Sequence, residues 1–361
     1  MTGVRARGED IRRFILEHVG KHPADIAKIA ADHFGITRQA ANKHLQKLTA
    51  EKALVESGKT RAKTYSVCPL SVWEHRYEIK EGLAEDVVWR NDILPTLGKL
   101  PDNVSNIWHY GFTEMFNNAI DHSAGQLIMV KISKTAASTD MVISDNGVGI
   151  FKKIQAALGL MDPRHAILEL AKGKLTTDPT RHSGEGIFFS SRMFDSFDIA
   201  SEGAIFSHAY GDKEDWIGEA DKLKGTHVIM KLNNHTARTL KKVFDQFSSG
   251  DDYGFNKTIV PVKLAQYGND QLISRSQAKR VVSRVELFKV VVFDFTGVAS
   301  VGQAFADEIF RVFANQHPEI ELHALKANSE VKRMIERVKS GAANDDGQTT
   351  QQSLPGLEPK Q

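Results

Sequence analysis

FTEMFNNAIDHS, residues 112–123, places two carboxylates, two amides and a histidine in one helical pattern. Asn and Asp are mediocre helix formers, because their side chains compete with the backbone for hydrogen bonds. Glu114, Asn118, Asp121 and His122 are spaced i, i+4, i+7 and i+8, so they share one face of the helix. A polar stripe of this kind also suits a solvated surface. This helix alone does not distinguish a solvated surface from a functional site, so the other motifs of the chain are needed.

Three more segments follow in a fixed order. Two strands in hairpin order, IMVKIS and TDMVISDNG, lead into DNGVGIF at residues 145–151. HSGEGIFFSSRMFD, residues 182–195, has a Gly-x-Gly at the start of an amphipathic helix. GTHVIMKL, residues 225–232, is typical of a closing strand.

The four segments together, over roughly residues 105–232, resemble the GHKL (Bergerat) ATPase fold. This α+β two-layer sandwich is shared by gyrase-type topoisomerases, heat-shock-90 chaperones, mismatch-repair ATPases and histidine kinases. EMFNNAIDHS is most similar to the gyrase-type and anti-sigma-kinase versions, which have a Glu before the Asn. The resemblance implies ATP and Mg²⁺ as ligands.

The resemblance also implies a role for each motif residue. Glu114 is the general base that accepts a proton from an attacking water, and Asn118 supplies an amide oxygen to Mg²⁺. Asp145 accepts the adenine amino hydrogen, and Thr226 hydrogen-bonds near the adenine. The other positions are glycines that admit the nucleotide to the backbone or open a phosphate-binding helix: Gly147, Gly149, Gly184 and Gly186.

Residues 152–183 are interpreted as an insertion that forms a mobile lid over the triphosphate. Its composition of cations, glycine and threonines suits that role: Lys172, Gly173, Lys174, Thr176, Thr177 and Arg181. The sequence leaves open which cation touches the γ-phosphate.

Other site types fit less well. GVGIFK lacks the third glycine of a Rossmann fingerprint, and the chain has no P-loop motif. HSGEG is not the G-x-S-x-G nucleophile elbow. Asp121 and His122 are interpreted as non-metal positions, and His182 and Ser183 as part of the lid.

Residues 1–68 are predicted to hold three helices and a hairpin. Gly35 ends the second helix, and Thr37 is the expected N-cap of the third. ITRQAANKHLQKLTAEKALVES resembles the winged helix-turn-helix domains of bacterial transcription regulators. Residues 1–67 carry thirteen Lys/Arg against seven Asp/Glu, a balance of +6, whereas the remaining chain has a balance of −4. A basic module of this kind favours nucleic acid as a partner.

Double-stranded DNA is therefore an expected partner, with a purely protein-contacting domain as the alternative. Arg and Lys reach guanine edges or phosphates, and Asn and Gln pair with adenine. The candidate DNA-binding residues lie on the third helix and in the wing: Arg38, Gln39, Asn42, Lys43, Lys47, Arg61 and Lys63.

The other regions complete a multidomain prediction. Residues 69–104 are expected to be a helical connector, 233–255 a linker and 341–361 a disordered tail. In residues 256–340 strands alternate with helices, and VVVFDFTGVASVGQAFADEIF resembles a small α/β STAS-like domain of unassigned role. STAS phosphoswitches have an Asp-Ser at the start of the next helix; here the chain has Ser300 without that pair, so a docking module is favoured over a phosphoswitch.

Composition sets the cellular context. The chain of 361 residues has 41% hydrophobic and 25% charged residues, enough for two or three folded domains. Its single cysteine, Cys68, excludes a disulfide framework. No apolar run is long enough to span a membrane, and the first residues lack a signal-peptide pattern. A cytoplasmic protein without a membrane partner is expected.

Three functional hypotheses follow. The first is an ATP-binding regulator whose nucleotide state changes DNA binding by the winged helix. The second is a serine or histidine protein kinase of the anti-sigma type acting on a STAS-like partner. The third is an ATP-driven protein-assembly factor. A protein partner of the STAS-like domain and a homodimer both stay open.

Overall fold

The structure, a computed structural model, describes residues 2–59, 62–176, 184–211, 215–219, 221–249, 252–266 and 271–345. The chain divides into two units, Met1–Ser248 and Ser249–Gln361. Each unit has its own sheet, and the two sheets differ in kind.

The first unit begins with three helices, α1 (Thr2–His18), α2 (Ile26–Phe34) and α3 (Arg38–Ala50). Gly35 ends α2 as predicted, with a φ of 60° that is typical of a C-cap glycine. Thr37 caps α3, since its hydroxyl accepts a hydrogen bond from the Ala40 N–H. An antiparallel hairpin follows, β1 (Leu54–Ser57) and β2 (Thr64–Val67).

The expected helical connector is wrong in its first part, because Ser71–Glu78 form a strand, β3. Trp73, His75 and Tyr77 alternate with Val72 and charged residues, a period of two that suits a strand. Pairing along the whole of β4 (Leu127–Lys134) stabilises this strand. Helical turns come only afterwards, in α4 (Glu85–Val88), a π-helical segment (Trp89–Ile93) and α5 (Leu94–Leu97).

A long helix, α6 (Asp102–His122), then packs on a seven-stranded antiparallel sheet. The remaining strands of that sheet are β5 (Ser138–Asp145), β6 (Ser196–Ser201), β7 (Ala204–Ala209), β8 (Trp216–Glu219) and β9 (Thr226–Asn233). Their order is β3-β4-β5-β9-β6-β7-β8. Trp108, Phe112 and Phe116 of α6 are fully buried, which makes this helix the main cover of one sheet face.

Three further helices lie between the strands, α7 (Ile150–Leu158), α8 (Pro163–Lys172) and α9 (Gly186–Met193). Much of the predicted lid is therefore regular helix. Ala166, Ile167 and Leu170 of α8 are buried, and so are all the other residues from His165 to Lys172, so this helix lies inside the unit. The unit ends with α10 (Leu240–Asp245), and β10 (Ser248–Ser249) lies at the division.

The second unit alternates strands and helices, as predicted. Its elements are β11 (Asp252–Phe255), β12 (Lys257–Pro261), α11 (Arg275–Val282), β13 (Val290–Asp294), α12 (Gln303–Asp307), a π-helical segment (Glu308–Phe313), α13 (Ala314–Gln316), β14 (Glu321–Leu325) and α14 (Ser329–Asp345). Short 3₁₀ turns lie at Val262–Ala265 and Val285–Leu287.

The strands β12, β13 and β14 form a parallel sheet in that order, with β13 in the centre. Helix α14 continues to Asp345, so the prediction of disorder is wrong for residues 341–345. Ala342 and Ala343 are strong helix formers and favour this extension. Residues 346–361 lie outside the described residues. None of the helices that the structure describes is long and apolar enough to cross a membrane.

Candidate functional site

A cavity of about 240 Å³ lies between α6, α7, α9 and the ends of β5 and β9. Seven of the eight residues predicted to form the nucleotide site line it: Glu114, Asn118, Asp145, Gly149, Gly184, Gly186 and Thr226. They come from four separate stretches of the chain. The rest of the wall is mostly apolar and includes Met115, Ile143 and Ile154.

Asp145 ends β5 and is the acidic group at the floor of the cavity, only 7% exposed. Its Oδ1 accepts a hydrogen bond from the Gly147 N–H at 2.8 Å. Burial raises the pKa of the Asp145 carboxyl, while hydrogen bonds from Gly147 and Thr226 oppose that shift. Thr226 also accepts the Ile150 N–H at 3.0 Å, so this threonine joins the start of β9 to the start of α7.

Gly147 is the one predicted site residue that does not line the cavity. A Cβ at this position would lie 2.0 Å from the Ser123 carbonyl oxygen, so only glycine fits there. That carbonyl accepts the Val148 N–H at 2.9 Å. Gly147 therefore joins the loop after β5 to the end of α6, and its role in the structure is close packing.

The carboxylate of Glu114 lies against Gly186, the first residue of α9. A Cβ at Gly186 would be 2.0 Å from Glu114 Oε2, which shows how close the carboxylate is to the backbone at this helix N-terminus. Burial raises the pKa of the neighbouring Tyr110 hydroxyl, and the charge of Glu114 raises it further. The predicted general base and the predicted phosphate-binding turn are thus in direct contact.

Sequence reasoning missed Lys153, which lines the cavity from α7. Its Nζ donates to the His122 carbonyl oxygen at 2.8 Å and lies 3.5 Å from His122 Nδ1. Burial lowers the pKa of the Lys153 ammonium, and the charge of Asp121 opposes that shift. A signal was present: Lys153 lies one helical turn after Gly149, so it faces the same side of α7 as the glycine motif.

The predicted lid residues have divided fates. Lys172 is fully buried and its Nζ donates to Glu169 Oε1 at 2.7 Å, so the expectation of a mobile lid cation is wrong for this residue. Helix α8 is buried on all sides from His165 to Lys172, and this burial accounts for the position of Lys172. Thr176 and Leu175 do line the cavity, and the Leu175 N–H donates to the Gly184 carbonyl at 3.1 Å. Thr177, Arg181, His182 and Ser183 lie outside the described residues.

The candidate DNA-binding residues form a second group on α3. Arg38, Gln39, Lys43 and Lys47 are exposed, while Asn42 is half-buried. Lys47 lies 3.8 Å from Glu51, and Lys63 in the hairpin lies 2.6 Å from Glu56. Lys47 and Lys63 therefore have acidic neighbours. Among the described residues of this set, Arg38 and Lys43 are the positive charges on α3 without an acidic side chain in ion-pair distance. Arg61 lies outside the described residues.

The described residues contain no group of three or more His, Cys, Asp or Glu side chains arranged to hold a metal ion. Asp121 is exposed and His122 interacts with Lys153. Neither the cavity nor the surface of the described ranges therefore offers a multi-carboxylate metal cage.

Residues 277–332 match the family described as "STAS-like domain of unknown function (DUF4325)". The match lies in the second unit, from α11 to α14, and includes Ser300. It confirms that this part of the chain is STAS-like. A comparison with curated proteins finds no match to this chain.

Proposed function

We propose that this protein is a cytoplasmic ATP-binding regulator. In this proposal residues 105–232 are a GHKL-type domain, and Mg²⁺–ATP binding or hydrolysis there changes DNA binding by an N-terminal winged helix. One observation carries the proposal: residues from four distant stretches, singled out by that resemblance, meet around a single cavity.

The chemistry of the wall suits an adenine nucleotide. Met115, Ile143 and Ile154 offer an apolar surface for a flat base, and the buried Asp145 carboxylate offers an acceptor for an amino hydrogen. Gly147 and Thr226 already donate hydrogen bonds to the Asp145 carboxylate. A carboxylate has about four acceptor positions, so it can still accept a hydrogen bond from an amino group. A small number of polar groups in an apolar wall is the usual basis of ligand orientation.

The charge of the wall favours a bound divalent cation. Among the described lining residues, Glu114 and Asp145 are the acidic side chains and Lys153 carries the ammonium group. A triphosphate beside these carboxylates requires additional positive charge, which Mg²⁺ supplies when bound. Mg²⁺ binds through one or two protein oxygens plus phosphates, and the Asn118 amide oxygen is the group that would hold it.

The chain's own residues then have defined tasks. Glu114 belongs to α6, and its carboxylate lies against the N-terminus of α9. There it is positioned to accept a proton from a water at the phosphate end of the cavity. Helix α9 begins at Gly186 at the same place, and the N-terminus of a helix favours anions. Leu175 and Thr176 form part of the cavity wall.

A direct structural link supports coupling to the N-terminal helices. β5 and β9 pair antiparallel, with Asp145 and Thr226 at the cavity end and Ser138 opposite Asn233 at the other end. There the Asn233 Nδ2 donates to Glu17 Oε1 of α1 at 2.7 Å. Ala136, in the preceding turn, packs against the core of the N-terminal helices. A shift of these two strands would therefore reach α1 directly.

The test is a pull-down of genomic fragments by the full chain, with and without a non-hydrolysable ATP analogue and Mg²⁺. We expect a set of enriched fragments whose recovery changes with the analogue. Recovery of the same fragments in both conditions would contradict the regulation. No enrichment in either condition would contradict DNA binding.

Incubation with γ-labelled ATP separates the proposed regulator from the kinase hypothesis. Release of free phosphate, or binding without turnover, agrees with the regulator. Stable label on this chain or on a STAS-like protein would instead establish a protein kinase.

A further inference from the structure

In the described part of the chain β3 is an edge strand of the seven-stranded sheet. It lies at the end of the strand order and pairs with β4 on its inner side. Leu70 and Val72 are 60% and 59% exposed, which is high for apolar side chains. β3 is eight residues long and contains no proline, although its charged residues Glu74, Arg76 and Glu78 are of the kind that disfavours pairing with unrelated strands.

The hydrogen bonds at the strand ends show which backbone groups of β3 face outward. The Ile79 N–H donates to Gln126 O at 2.8 Å, and the Asn146 N–H donates to Leu127 O. Because backbone groups of an antiparallel strand alternate between its two sides, these bonds direct the odd-numbered residues of β3 towards β4. The N–H and C=O groups of the even-numbered residues point away from the sheet: Val72, Glu74, Arg76 and Glu78.

We propose that β3 is a self-association edge that pairs antiparallel with β3 of a second copy of this chain, about a two-fold axis at His75. A two-fold axis makes the same patch meet itself, so the strand must be complementary to its own reversed sequence. Three registers keep most of β3 paired with its copy, and they are centred on Glu74, His75 and Arg76. Only the register centred on His75 makes the strand complementary to its own reversed sequence.

Charge excludes two of the three registers. A register centred on Glu74 sets that carboxylate opposite its own copy. A register centred on Arg76 sets two guanidinium groups opposite each other and Glu74 opposite Glu78. Like charges directly opposite on paired strands are destabilising.

The register centred on His75 places Glu74 opposite Arg76 of the second copy, and the symmetry repeats this pair. Val72 then lies opposite Glu78, so all four outward residues are used. Four hydrogen-bonded pairs give about eight backbone hydrogen bonds across the new interface. Within one chain Arg76 Nη2 already lies 3.7 Å from Glu74 Oε1, so both side chains are on the same face of the sheet.

A cysteine at the axis tests this register. His75 is opposite its own copy in a non-hydrogen-bonded pair, where the Cα atoms are about 4.5 Å apart and a disulfide fits. We expect the His75→Cys variant, made in a Cys68→Ser background, to form a covalent dimer on mild oxidation. Lys131→Cys in the same background is the control, because Lys131 is exposed on the neighbouring strand but away from the edge.

Charge exchange tests the same register without a cross-link. Glu74→Arg should weaken the dimer about tenfold in sedimentation equilibrium, since two attractive pairs become repulsive. The Glu74→Arg, Arg76→Glu double variant should restore it. A monomeric protein at about 100 μM would overturn the proposal. A dimer in which His75→Cys does not cross-link would also overturn the proposal, because the two copies would then associate through a different surface.

Discussion

Helix α3 and the central cavity present their predicted ligand-contacting residues in different ways. Arg38, Gln39 and Lys43 are exposed on one helix, and its N-cap, Thr37, directly precedes it in sequence. The cavity instead depends on stretches that are more than one hundred residues apart, from Glu114 to Thr226. A surface on one helix needs only that helix to form, whereas the cavity needs the whole sheet in register.

This difference predicts how substitutions act. A change on α3 should alter affinity gradually and leave the other contacts intact. A change in the cavity should remove a function completely, because each stretch supplies a different group. Substitutions in the cavity and on α3, each with a matched control, distinguish these two behaviours.

Asn118→Ala should abolish binding of Mg²⁺ with a non-hydrolysable ATP analogue, measured by calorimetry. The amide oxygen is the group that would hold the cation, and alanine offers no substitute. Asn117→Ala is the matched control, because this neighbouring amide does not line the cavity. Equal nucleotide affinity in wild type and Asn118→Ala would contradict the site.

Glu114→Ala should retain nucleotide binding while ATP turnover falls about 10²–10⁴-fold, the usual effect of removing a general base. Asp121→Ala, on the same helix but exposed, should keep its turnover. Phosphate release measures both variants. If Glu114→Ala hydrolyses ATP at the wild-type rate, the base is another residue.

Glu169→Gln should lower the free energy of unfolding by about 3 kcal/mol, because it removes a buried partner of the Lys172 ammonium. Glu81→Gln, at an exposed position, should change stability by less than about 0.5 kcal/mol. Urea denaturation measures both. An unchanged midpoint in Glu169→Gln would show that this pair does not hold α8 beside the cavity.

Lys43→Ala should weaken DNA binding modestly and lower the salt-dependence slope by about 1, as expected for the loss of one phosphate contact. Lys28→Ala removes the same charge from the exposed side of α2 and serves as control. Fluorescence anisotropy at several salt concentrations measures both. Equal losses in the two variants would indicate general electrostatic attraction rather than an α3 interface.

Sequence reasoning worked best where local signals decide structure. Thr37 and Gly35 marked the start of α3 and the end of α2, and the alternation of strands and helices after residue 256 predicted a small α/β domain. It failed at β3, where charged residues resembled a helix and the stabilising partner strand lies some fifty residues away. It also failed for Lys172, because composition does not reveal that α8 is buried on all sides from His165 onward.

Lys153 shows the same limit within the cavity. Its spacing from Gly149 puts it on the motif side of α7, but its contact with His122 depends on how α6 and α7 pack. Gly147 shows the reverse: the motif predicted a glycine for a ligand, and the structure gives it a close contact with Ser123. The spacing of residues along one helix predicts which of them share a face. The packing of the helices and strands decides which residues that face contacts.

The amino-acid sequence alone determined the helix caps, the strand periodicity, the basic N-terminal block and the four motifs that point to one site. Only the tertiary structure decided that seven of those motif residues share a cavity, that Lys172 is buried and that β3 has an open edge. The physical reason is the separation along the chain between the residues that interact. Caps and periodicity arise from neighbours within a few residues, whereas a cavity or a sheet edge exists only once distant segments have packed together.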